Sequence, residues 1–306
     1  MLSGISTICF AACYAIALGL EILGLKSRAT WRRAALIGVT AAGVLAHTLY
    51  LGYRSAQAGV IPASTAAEWL QLAAWILATV YLAALFYLPR TPTGLVLLPI
   101  VLGLVIGSRW ASTEPLAPEG TSYVWGMFHA IVLLLGTVAV CVGFLAGLMY
   151  LVQSYALKHV RSPANGLRLP SLEWLEHVNS RTLGLSAVLI ALGFLSGLAM
   201  SVATHRGQAA YVLWTDPVVL SLAAMLLWLI AAEVFRLVYP AARRGRKVAY
   251  LTLASFVFLI IALASLMLLD TVHGAVRSDT TNQSAKLENQ ARVGKALPSN
   301  TSRFTM

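Results

Sequence analysis

Eight apolar stretches, each near the length that crosses a bilayer, constrain this chain more than any motif in it. They run over roughly residues 3–25, 34–53, 65–88, 94–109, 123–156, 182–205, 217–239 and 249–273. With 59% hydrophobic residues, 11% charged residues and a mean hydropathy of +0.78, the chain cannot hide its apolar surface in one soluble core. The expected fold class is therefore all-α, a polytopic membrane protein of about eight transmembrane helices. The fourth stretch is the short one and contains Pro99. If it did not cross, every later segment would invert.

Charge placement checks the count, because basic residues in short loops stay cytoplasmic. One set of loops holds Lys26, Arg28, Arg32 and Arg33, then Arg90, then Lys158, Arg161, Arg168 and Arg181, then Arg236, Arg243, Arg244, Arg246 and Lys247. The opposite loops hold Arg54, Arg109 and Arg206, and the other basic residues lie in the C-terminal tail. This alternation predicts both termini outside. It also explains the net charge of +11 as loop charge facing the anionic headgroups of the lipid bilayer, with no reason to invoke nucleic acid. The first span lacks the basic flank and cleavage site of a signal peptide and is expected to remain as an anchor.

Residues 1–273 are thus expected to form a helical bundle, and 274–306, rich in Ser, Thr, Asn, Gln and charge, a disordered polar tail. Between spans five and six, Pro170 to Val178 reads as a short surface helix capped by Ser171, with Leu172, Leu175 and Val178 on one side. Cys9, Cys13 and Cys141 fall inside spans, where thiols behave as small apolar groups, so neither a disulfide nor a metal is assigned to them. Gly103 with Gly107, Gly143 with Gly147, and Gly193 with Gly197 are pairs that permit close helix approach.

Chemistry concentrates at one membrane face. His129 and His273 are each predicted at the outer end of a span, and between them in sequence lies an outward loop carrying Trp214-Thr215-Asp216-Pro217. Two imidazoles flanking an aromatic and acidic loop suit an iron porphyrin. The same residues have plainer readings. A boundary histidine can be merely interfacial, Asp216-Pro217 is a standard helix start with the aspartate as N-cap, and Trp214 and Trp125 suit an interfacial belt as well as porphyrin stacking. Asp270, one turn before His273, is placed either to hydrogen-bond its imidazole or to be solvated. Glu21 and Glu233 lie near inner helix ends, where snorkelling is the default.

Phe128-His129, Asn179-Ser180-Arg181-Thr182-Leu183-Gly184, Trp214-Thr215-Asp216-Pro217 and Val272-His273-Gly274 occur in an order and spacing that resemble the CcsA-type cytochrome c assembly proteins, including their HemX-like relatives. Gly59-Val60-Ile61-Pro62 and Glu68-Trp69-Leu70 are similar to that family's entry into span three. The resemblance covers roughly residues 40–275. It implies that His129 and His273 ligate haem as its metal ligands on the outer face, with Trp214 and Asp216 in the loop against the porphyrin. It further implies apocytochrome c as a partner, a CcsB-like second membrane subunit, and a place in a bacterial inner membrane with the site facing the periplasm. This chain departs from the family in keeping one tryptophan in the loop and in having Val234 where many members carry an inner histidine; His47 aligns with no family histidine and stands as a possible substitute.

No phosphate-binding loop, HExxH, CxxC or serine with a partner base is present. The expected function is to bind haem at the outer face and present it for attachment to apocytochrome c. The alternative is a HemX-like regulatory or scaffolding protein that influences haem supply without ligation. A transporter reading is disfavoured by the scarcity of charge within the spans.

Overall fold

The computed structural model describes residues 7–24, 30–58, 65–88, 91–111, 123–158, 170–204, 216–239 and 245–268. Among these residues the chain forms eight helices: α1 (Thr7–Gly24), α2 (Thr30–Ala58), α3 (Ala66–Tyr87), α4 (Gly94–Gly107), α5 (Tyr123–Lys158), α6 (Leu172–Thr204), α7 (Pro217–Val238) and α8 (Arg246–Leu268). All but α4 are long and apolar enough to cross a membrane. Their outward side chains, such as Ile8, Leu45, Leu192, Leu195 and Leu227, are apolar and exposed, as lipid requires. The protein is an integral membrane protein with a polytopic, all-helical fold.

The 14 residues of α4 span only about 21 Å, short of the ~30 Å hydrocarbon core. It is shielded instead by protein. Leu97, Leu98, Val101, Leu104 and Val105 are buried, while Pro99, whose missing N–H removes one ladder bond, faces outward. Gln71 Nε2 donates to Ser108 Oγ at 2.6 Å, and a Cβ on Gly94 would lie 2.7 Å from the Tyr81 hydroxyl. The start of α3 therefore sits beside the end of α4, so α4 runs antiparallel to α3 and the alternation of spans is kept.

The helices fall into two groups of four. In the first, α1 packs on α2 and α4, and α3 packs on α2 and α4; in the second, α5 packs on α6 and α8, and α7 packs on both of those. The main seam between the groups runs from α5 to α3 and α4.

Within the second group, small residues on facing helices receive larger ones. A Cβ on Gly136 would come 2.8 Å from Ile190, one on Gly143 would come 2.8 Å from both Thr182 and Thr252, and one on Gly193 would overlap Leu133. Two of the three glycine pairs read from sequence thus permit close approach, whereas Gly103 faces open space. At the centre lies Asn179, 1% exposed, with its amide orientation assigned from its network. Its Nδ2 donates to Thr252 Oγ1 (2.7 Å) and the Gly143 carbonyl (3.2 Å), and its Oδ1 accepts from the Ala249 N–H (3.2 Å) near the start of α8.

That network explains one departure from the sequence reading. The expected surface helix at 170–178 and the sixth span form one continuous rod, α6, of 33 residues. Ser171 caps it as expected, accepting from Trp174 N–H at 3.2 Å, and Leu175 is fully buried. The polar run Asn179-Ser180-Arg181 does not break the helix because its polar groups are matched: Asn179 as described, and Ser180 by the Arg236 guanidinium.

Candidate functional site: a histidine seated on a glycine face

His129 sits in the second turn of α5, on the face that α6 covers. Its Nδ1 lies 2.8 Å from the Gly193 carbonyl and 3.0 Å from Ser196 Oγ. Since Ser196 Oγ itself donates to the Gly193 carbonyl at 2.7 Å, its lone pair is turned to the ring, and Nδ1 must carry the proton to satisfy both acceptors. Nε2 is then the nitrogen with a lone pair. This is how a ligating imidazole is normally prepared, with one ring nitrogen donating to backbone and the other presented to a metal. Gly197 completes the seat, since a Cβ there would lie 2.6 Å from the imidazole Cε1.

One turn earlier, Trp125 donates Nε1–H to the Ser196 carbonyl at 3.1 Å, and its ring tilts against Phe128 with centroids 6.2 Å apart. Ser196 therefore ties both Trp125 and His129 to α6. Trp125 and Phe128 keep exposed ring surface at the same end of α5. The sequence reading missed Gly193, Ser196 and Gly197 as supports of His129; the Gly193/Gly197 spacing signalled a close helix approach but not what it admits.

Asp216 is buried and acts as the N-cap of α7. Its carboxylate accepts from Val218 N–H (2.7 Å) and Val219 N–H (3.3 Å), with Pro217 in the first turn. His273, Trp214 and Asp270 lie outside the described residues. Of the expected constellation, His129 and Asp216 are described, at the α5 and α7 starts that the alternation of spans puts on one face.

His47 does not join them. It belongs to the first helix group, is fully buried, stacks on Phe10 with centroids 4.0 Å apart, and its Nδ1 is 3.3 Å from the Tyr14 hydroxyl. Gln71 faces it, although neither His47 Nε2 nor Gln71 Oε1 completes a hydrogen bond among the described residues. Val234 is half-exposed on the outer flank of α7. Glu21 does not snorkel: it is buried and accepts from the Tyr81 hydroxyl at 2.9 Å. Glu233 pairs with Arg236 at 2.6 Å. Among the described residues no cluster of three or more His, Cys, Asp or Glu is arranged for a metal ion.

Comparison with known proteins follows the same segments. The family model described as cytochrome C assembly protein matches residues 35–273. A relative from Microcystis aeruginosa, named cytochrome c biogenesis protein CcsA, is 25% identical over 257 residues, covering 68% of this chain and 76% of its own length. No solved structure matches the chain.

Proposed function

We infer the function from one premise: this chain belongs to the cytochrome c assembly protein family. Its role lies in cytochrome c biogenesis, which brings it together with haem and apocytochrome c. Within that role we assign it haem binding at the face that carries His129, where His129 and His273 would hold the iron, and presentation of the haem to apocytochrome c.

The observation that carries this reading is the seating of His129. Its Nδ1–H is engaged by Gly193 and Ser196, leaving Nε2 in the tautomer that iron requires. The packing of α5 against α8 supports the second ligand. Ser154 meets Arg246, Gly147 meets Leu253 and Phe144 stacks on Phe256, so ten residues back along α5 match ten forward along α8. Counted on in sequence alone by the fifteen residues from Phe144 to His129, the same pairing corresponds to position 271, two residues from His273.

Bound haem supplies the vinyl groups to which the partner's cysteine thiols add. This chain's part is to ligate the iron, to offer Trp125 and Phe128 as apolar surface beside it, and to hold the ligand geometry rigid through α6. The basic residues cluster at the opposite helix ends, including Arg32, Arg33, Lys158, Arg236, Arg246 and Lys247, and this supports a reading in which the His129 face looks outward, to the periplasm of a bacterial inner membrane. A second membrane subunit of the CcsB kind would complete the assembly.

One observation favours the scaffold reading. Val234 is half-exposed on the flank of α7 rather than turned into the bundle, and valine supplies no ligand there. The deciding experiment is the absorption spectrum of the detergent-purified protein together with the covalent haem content of c-type cytochromes in a deletion strain. A Soret band that depends on His129, with lost cytochrome maturation, supports presentation. Maturation that survives deletion assigns the protein to regulation of haem supply.

A further inference from the structure

At the membrane end opposite His129, α5 and α8 border a concavity of about 350 Å³, lined by Leu151, Val152, Tyr155, Arg246 and Tyr250. We propose that it binds one anionic phospholipid, with the lipid phosphate on the Arg246 guanidinium and the start of an acyl chain along Leu151 and Val152.

Three features define the occupant. The lining divides into an aliphatic floor, two phenol rings and one cation, with no carboxylate among the lining residues. That is the profile of an interfacial lipid headgroup site, where tyrosines sit at headgroup level and Arg pairs with phosphate. Arg246 is also held in place: its Nε donates to Ser154 Oγ at 2.8 Å and its Nη2 reaches the Ser154 carbonyl at 3.4 Å. A guanidinium has five N–H donors, so this anchoring leaves further donors on a fixed fork for a phosphate. Finally, Lys158 and Lys247 lie on the adjoining turns, adding positive charge on the face where anionic lipids gather. The concavity is too small for a whole lipid and fits a glycerophosphate group with its first methylenes.

Native mass spectrometry of the full-length protein, delipidated and titrated with phosphatidylglycerol or phosphatidylcholine, tests this. The wild type is expected to retain one phosphatidylglycerol in preference to phosphatidylcholine, and Arg246→Gln to weaken that retention about fivefold. Arg33→Gln, on the same membrane face but on α2, is the charge control and is expected to change nothing. A Ser154→Ala variant, which frees the guanidinium without removing it, is expected to lie between. Millimolar inorganic phosphate or glycerol 3-phosphate is expected not to displace the lipid. Equal retention of both lipids, equal loss in Arg33→Gln, displacement by free phosphate, or displacement by haem with a new absorption band dependent on Arg246 would each overturn the assignment.

Discussion

His129 occupies the space that a methyl group on Gly197 would fill, since an ideal Cβ there would stand 2.6 Å from the imidazole Cε1. Gly197→Ala tests whether that seat matters. Alanine favours a helix interior by about 1 kcal/mol, so α6 is expected to persist while the ring is pushed aside. The expected result is a Soret band weakened or shifted as in a ligand variant, with helicity unchanged by circular dichroism. An unaltered spectrum would show that the glycine face is packing alone.

His129→Ala and His273→Ala are each expected to strip or shift the Soret band of the purified protein. His177, exposed near the opposite end of α6, provides the control, and His177→Ala should leave the band unchanged. Wild-type haem content and ligation in both outer variants would remove the ligand assignment.

Asp216 separates capping from haem contact. Asparagine caps a helix about as well as aspartate, so Asp216→Asn should retain thermal stability, whereas Asp216→Ala should lose about 1 kcal/mol. If the carboxylate only caps α7, Asp216→Asn also keeps its haem. Loss of haem at unchanged melting temperature would instead give the charge a role at the porphyrin.

The Asn179 network predicts a stability effect far from the haem face. Asn179→Leu leaves Thr252 Oγ1, the Gly143 carbonyl and the Ala249 N–H without that partner, and a buried polar group left unpaired costs about 1–3 kcal/mol. A clear fall in the melting temperature in detergent is expected, with the ligation spectrum of the surviving folded protein unchanged. A neutral substitution would mean that neighbouring groups take over the bonds.

Val234→His is expected to add no ligand, because the position faces outward from α7. A new six-coordinate signature in that variant, read by absorption or magnetic circular dichroism, would place α7 differently from the arrangement described.

The spans were legible because hydrocarbon imposes a length and a polarity that local sequence cannot disguise. Seven of the eight helices keep their expected bounds to within five residues, α6 being the exception, and α4 is short as expected. What escaped were properties fixed by distant partners. The continuity of α6 through Asn179-Ser180-Arg181 depends on Gly143, Thr252 and Ala249 from two other helices and on Arg236 from a third. Glu21 points inward because a tyrosine sixty residues later reaches it, and His47 is enclosed by aromatic rings from α1. Near the candidate site, the capping form of Asp216 was legible because it follows from a local rule, whereas His129 stood out only through its place beside the Trp214–Pro217 loop and His273 in sequence. The sequence did not identify Ser196, whose hydroxyl becomes informative only when α6 is laid against α5.

The unbroken length of α6 couples two places that the sequence kept apart. Its 33 residues reach about 50 Å, well beyond the hydrocarbon thickness, so the segment starting at Leu172 and the turn that seats His129 are two ends of one stiff lever. The turn that seats His129 and the turn that starts at Leu172, near the opposite membrane surface, therefore belong to one rod, with no joint between them.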